Sequence, residues 1–187
     1  MKNEFTIVQL SEKIPLSFSV CRFKHVFPDA YPDIRLFIIR DGSCDIHVDT
    51  ETRHAKKNDR LIINPFTVNS FSAKKPCTRL VAKINQFGFE LDEEEALGLK
   101  FNLNSIKNPY NKRYESIRYL RYSIIKFNTM DNINSLYTNR AIIFSLFAQL
   151  RNYFRVENQG EEITRNSRKL NSKLLSYLHS HYKENIS

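Results

Sequence analysis

Between Ile34 and Ile84 the apolar residues fall in short runs closed by turn signals, and beyond Tyr114 they fall at helical spacing. That change of period limits the fold more than any other feature. Ile34 to Arg40 (IRLFIIR) is an apolar, β-branched run ending at Asp41-Gly42, which reads as a hairpin turn. Cys44, Ile46 and Val48 then point one way and Asp45, His47 and Asp49 the other, the pattern of a half-buried strand. Thr50-Glu51-Thr52 is a second turn. Asn58-Asp59 precedes Leu61-Ile62-Ile63, Asn64-Pro65 ends that run, and Thr78 to Ile84 is a further strand. Residues 5–9 and 15–23 are expected to add edge strands. Short strands at such regular spacing predict a sandwich or a small barrel.

The second half reads as helices. Tyr114, Ile117, Leu120, Ile124 and Phe127 keep helical spacing. Leu136, Tyr137, Arg140, Ala141, Phe144, Phe147 or Ala148, Arg151 and Phe154 trace a longer face through AIIFSLFAQL. A helix apolar on most of its circumference is buried on more than one side. Beside one small barrel, the second surface is either a partner subunit or the neighbouring helix and barrel together. Residues 156–169 are mostly polar and read as a linker.

Charge divides the chain in the same place. Residues 1–99 are balanced, and residues 100–187 carry the whole net charge of +9. A neutral half followed by a basic half fits a sensor leading to a nucleic-acid module; solvated Lys- and Arg-rich helix faces fit equally well. Cys21, Cys44 and Cys77 form neither a C-x-x-C pair nor a disulfide framework, so buried reduced thiols are expected. No run approaches the roughly 18 apolar residues of a membrane span, and the N-terminus lacks a signal-peptide core, so the chain is expected to be cytoplasmic and membrane-free. The four glycines make no phosphate loop and no nucleophile elbow. His179 and His181, two apart on a helix, do not share a face for a metal. No nucleophile–base pair is evident.

The last residues, LLSYLHSHYKENIS, place Leu174, Leu175, Leu178 and Tyr182 on one helical stripe, with Ser172 as N-cap and Asn185 at the helix end. This segment resembles the opening of the DNA-binding domain of AraC-family transcription regulators. Upstream, Asn58-Asp59, the run Leu61–Ile63, Pro65 and Asn69 resemble the cupin sensor domain of the same family, whose pattern is a Gly-Asp turn, an apolar strand, a Pro and a His. The resemblance implies an α+β chain. A cupin-like (jelly-roll) β-barrel spans 1–90, an α-helical dimerisation module 91–157 and a linker 158–170. The start of a DNA-binding domain, cut off at Ser187, spans 171–187.

Two departures bear on function. Asn58 stands at the Gly position, where Asn tolerates a left-handed backbone. Asn69 replaces the His, and Arg35 falls where many cupins carry an acid; His25 alone matches an upstream cupin His. A metal needs several converging N and O donors, so a metal-free, cofactor-free barrel is expected. The candidate effector site is His25, Arg35, Phe37 and Asn69. Arg35 either points inward to a carboxylate, phosphate or sugar hydroxyls, with Phe37 stacking on an apolar ring, or forms a structural ion pair. The candidate dimer interface is Leu136, Arg140, Phe144, Phe147 and Phe154. The expected function is the regulatory domain of an AraC-like regulator, not an enzyme. Its expected partners are a second copy, a sugar or other small metabolite, and DNA through the missing C-terminal domain. A small cupin-type metal-dependent enzyme and a ligand-free interaction module are the alternatives.

Overall fold

The computed structural model describes residues 4–8, 15–89, 91–110, 112–114, 117 and 133–156, with 4–8 and 133–139 described by their backbone alone. The strands are β1 (Glu4–Val8), β2 (Leu16–Asp29), β3 (Ile34–Asp41), β4 (Ser43–Val48), β5 (Glu51–Lys56), β6 (Arg60–Ile63) and β7 (Asn69–Ile84). A 3-10 turn (Gln86–Phe89) and the helices α1 (Glu93–Gly98) and α2 (Ile133–Phe154) follow. The expected tail helix at 174–187, the linker at 158–170, and Leu120, Ile124 and Phe127 lie outside the described residues.

The strands form one antiparallel sheet in the order β1-β2-β7-β3-β6, with β4 paired to β7 and β5. β7 is its spine. β2 pairs along its length, so β2 is an interior strand between β1 and β7 rather than the edge expected for 15–23. Phe23 faces Cys77 and His25 faces Ser72, so Lys24 alone opposes Ala73–Pro76 on β7. Such a bulge bends a strand, and it also accommodates Pro76, which has no N–H to give the ladder.

Asp41-Gly42 is not a hairpin. β3 pairs with the second half of β7 and β4 with its first half, so the chain runs on along the same edge through a kink. Gly42 has φ 80°, and a Cβ there would lie 3.3 Å from the Pro76 carbonyl oxygen and the Cys77 Cα. The residue is glycine because the kink crosses closely over the bulge. The real hairpin is β4–β5, whose ends pair Val48 with Glu51 around Asp49-Thr50. Asn58 has φ 76°, as its place in the turn before β6 requires.

The sheet curls into a half-barrel, in line with the β-barrel that the resemblance implies, and β5 and β6 follow one another along a single edge, β5 beside β4 and β6 beside β3. One face of the sheet packs on the helices: Leu16, Phe18, Ile34, Leu36, Ile38, Leu80, Ala82 and Ile84 meet Phe89, Leu99, Phe101 and α2. Tyr114 and Ile117, the described part of the first helical stripe, are buried there too. On α2 the inward stripe is Ile143, Leu146, Phe147, Leu150 and Phe154. Each such side chain contributes roughly 1.5–3 kcal/mol, so this seam is worth on the order of 10 kcal/mol. Phe147 stacks on Phe89 with centroids 3.9 Å apart, and Phe154 on Tyr114 at 5.7 Å. α1 begins at Asp92, whose carboxylate accepts from Glu95 N–H at 2.6 Å, and Arg151 of α2 pairs with Glu95. No described helix is long and apolar enough to cross a membrane.

Candidate functional site

The other face of the sheet closes on itself. Cys21 and Phe23 of β2, Phe37 and Ile39 of β3, Cys44 and Ile46 of β4, Ala55 of β5, Leu61 and Ile63 of β6, and Phe71, Ala73, Cys77 and Val81 of β7 fill the interior. Each of these is apolar or a thiol. Arg79 lies between Cys77 and Val81 on β7, and alternation sends its side chain in among them.

Arg79 is 7% exposed. Its guanidinium carbon lies 3.9 Å from the Phe71 ring centroid, 4.9 Å from that of Phe23 and 5.0 Å from that of Phe37, a box of three rings. Phe71 in turn packs on Phe37 at 4.9 Å and edge-on to Phe23 at 5.8 Å. Nε and Nη1 of Arg79 have no hydrogen-bond acceptor, and among the described residues no carboxylate forms an ion pair with it. Burial pulls its pKa below the usual guanidinium value, against the pull of Cys21, Cys44 and Tyr31. Burial also raises the Cys21 thiol, against the charge and hydrogen bond of Arg79, while a hydrogen bond from Cys44 lowers Cys77. All three cysteines are free and buried.

Beside this box a narrow cleft, too tight for a water molecule, is lined by Phe37, Ile39, Ile46, Ala55, Asp59, Arg60, Leu61 and Ile106. It lies where β5 turns into β6, against β3 and β4.

Of the expected effector residues the structure sends Phe37 into the interior, against Phe71 and Arg79. Arg35 pairs with Asp33 at 3.2 Å and lies over the Tyr31 ring, the structural ion pair that the sequence left open. Asn69 is buried, and its Nδ2 donates to the carbonyls of Asp29 and Thr67, both at 3.1 Å, which ties the start of β7 to the end of β2. His25 is exposed on β2 and pairs in register with Ser72. These four do not converge. Arg79 was within reach of the sequence. Leu80, Ala82 and Ile84 claim one buried face of β7, so Arg79 must take the other.

Of the expected dimer residues, Phe147 and Phe154 are buried against their own barrel, and Arg140 is half-buried. Phe144 is 46% exposed, and the side chain of Leu136 lies outside the described residues. The outward stripe of α2 is Ala141, Phe144, Ser145, Ala148 and Asn152.

A polar cluster covers the outside of the β4–β5 hairpin. His54 Nδ1 lies 2.7 Å from Asp45 Oδ1, and His47 lies 2.9 Å from Thr52 Oγ1 and 3.4 Å from Ser72 Oγ. The carboxylate orients His54 and not the histidine next to the serine, so the three are not arranged as an acyl-transfer triad. Among the described residues no group of three or more His, Cys, Asp or Glu side chains is placed to hold a metal ion.

No protein-family model matches the sequence, and no curated protein does. The chain is similar to solved structures at low identity. A cupin-superfamily protein from Desulfitobacterium hafniense matches at 16% identity and TM-score 0.42, covering 44% of this chain and 77% of that one. A cupin-2 domain protein from Shewanella frigidimarina matches at 12% and 0.39, covering 43% and 79%. The cupin domain of Cnp3 from Schizosaccharomyces pombe matches at 16% and 0.41, covering 44% and 61%.

Proposed function

We propose that the chain is the regulatory part of an AraC-like transcription regulator, in which a cupin-like barrel senses a small molecule and a helical segment joins two copies. The observation that carries this reading is the barrel interior: apolar and thiol side chains around one guanidinium with two unsatisfied nitrogens. A guanidinium keeps its proton and offers donors in a fixed plane, which suits binding rather than proton transfer. The reading is therefore of a sensor and not of an enzyme. The outward stripe of α2 supplies the surface for a second copy, with Phe144 at its centre flanked by Ala141 and Ala148. Two copies would carry two DNA-binding domains to adjacent half-sites, where effective concentration multiplies affinity. An effector then acts by binding one arrangement of the pair better than another.

The test is a fusion of this chain to a DNA-binding domain that occupies its operator only as a dimer. The expected result is operator repression, lost on Phe144→Glu. A fusion that stays monomeric and leaves the operator free would remove the basis of the reading.

A further inference from the structure

The geometry points to an apolar monocarboxylate as the ligand of the barrel, its carboxylate on Arg79 and its hydrocarbon body in the cleft lined by Phe37, Ile39, Ile46, Ala55 and Leu61. Three observations lead there. Arg79 is buried, positively charged and lacks acceptors for Nε and Nη1, so it wants an oxyanion. The walls around it are three phenyl rings and aliphatic or thiol side chains; Asn69 on the same face of β7 has its Nδ2 committed to two carbonyls, and Asp59 and Arg60 are the polar residues lining the cleft. A sugar has a hydroxyl on nearly every carbon and would leave most of them unpaired in such an interior, so the sugar named from sequence is disfavoured. One charged head on an apolar body leaves none. Finally, the cleft shares Phe37 and Ile39 with the guanidinium's surroundings, since Phe37 stands in its ring box and Ile39 pairs with Arg79 across β3 and β7.

The cleft is too tight for water in this state, so the ligand must part the walls as it binds. β5 and β6 form the edge beside β4 and β3, and among the described residues no further strand pairs with their outer side, so this edge is where the walls part most easily. Binding is non-covalent and moves no electron.

This inference rests on the sensing reading for its biological purpose, but its chemistry stands separately. Carboxylate binding can fail while the fusion still dimerises, and the fusion can fail while carboxylate binds. The experiment is titration calorimetry and thermal shift on the whole chain with octanoate, 1-octanol and inorganic phosphate. Octanoate should bind and raise the melting temperature, octanol should bind at least tenfold more weakly, and phosphate should have no effect. Arg79→Met should weaken octanoate at least tenfold and abolish the preference for it over octanol. Equal binding of octanoate and octanol by the wild-type chain overturns the proposal, and this comparison holds even if the variant does not fold. Phosphate binding without octanoate overturns it in favour of a small inorganic anion. Binding of none of the three also overturns it, as does octanoate binding undiminished in a folded Arg79→Met protein.

Discussion

Arg79→Met should make the ligand-free protein more stable. Met has nearly the length of Arg and fits among rings, so the change removes charge and donors with little change of volume. The wild-type guanidinium leaves two nitrogens without acceptors, and each unsatisfied buried donor costs ~1–3 kcal/mol, more when charged. Against this stands the attraction of the cation for Phe71, Phe23 and Phe37, about 0.5–2 kcal/mol, of which a methionine sulfur among the same rings recovers ~0.3–1.5 kcal/mol. The balance favours Met by roughly 1–4 kcal/mol, the range found when buried ionic groups give way to apolar ones of similar size. With about 2–4 °C of melting temperature per kcal/mol for a chain of this length, a 2 kcal/mol gain is a rise of about 4–8 °C. Calorimetry at pH 7 without ligand reads it directly. A fall of similar size would mean that the guanidinium already has an internal partner such as a Cys21 thiolate, and the argument for an external anion would collapse with it.

Phe147→Ala should destabilise by about 3–5 kcal/mol in guanidinium denaturation, because it leaves a cavity against Phe89; a loss under 1 kcal/mol would show that α2 does not depend on that stack. Phe144→Glu should convert a dimer into a monomer in sedimentation equilibrium without changing the far-UV spectrum, and an unchanged mass would move the interface elsewhere. Asp92→Ala removes the acceptor for Glu95 N–H and should cost ~0.5–2 kcal/mol by denaturant midpoint. Stability should fall as pH rises above about 9. Burial raises Cys21, whereas the hydrogen bond that raises Cys44 lowers Cys77, so that pair acts in opposite directions. The folded chain therefore keeps a proton on Cys21 that the unfolded chain releases from pH 9.0 upward, and the stability it contributes declines across that window. Cys21→Ala should flatten the decline by up to ~1.4 kcal/mol per pH unit, measured by urea unfolding from pH 7 to 10. An identical slope in both proteins would exclude Cys21 as a source.

Local residues announced the strands but not their partners. Asp41-Gly42 states that the backbone turns left-handed; whether a hairpin or a kink follows depends on β7, some 35 residues on, and no local pattern carries that. Residues 15–23 read as an edge strand, yet β1 pairs with Phe18–Arg22 on one side and β7 runs along the other, neither of them close in sequence to the pattern that marks the strand. Parity along a strand was the most readable long-range signal. It placed Phe37 inside, and applied to Thr78–Ile84 it also places Arg79 inside. Arg35 was attractive because it stood at a familiar position, yet Asp33, two residues earlier, was already there to neutralise it. On α2 the sequence showed an apolar helix but not which side the barrel would claim. Phe147 and Phe154 belong to that side, and Phe144 sits at its border, edge-on to Phe89 at 5.4 Å yet 46% exposed.

Lys24 on β2, the segment Ala73–Pro76 on β7 and Gly42 between β3 and β4 lie on one line across the sheet. On one side of that line β2, β3, β6 and β7 bear on the helices; on the other lies the β4–β5 hairpin with its polar outer surface. The barrel is thus two leaves joined at a single crease, and all four of the chain's passages between them, at Lys24, Gly42, residues 57–59 and Ala73–Pro76, bend there. Arg79 stands two residues from the crease, with Phe37 from one leaf and Phe71 from the other against its guanidinium. A molecule bound beside that side chain would therefore press on both leaves at once, with the crease as the line about which they could turn.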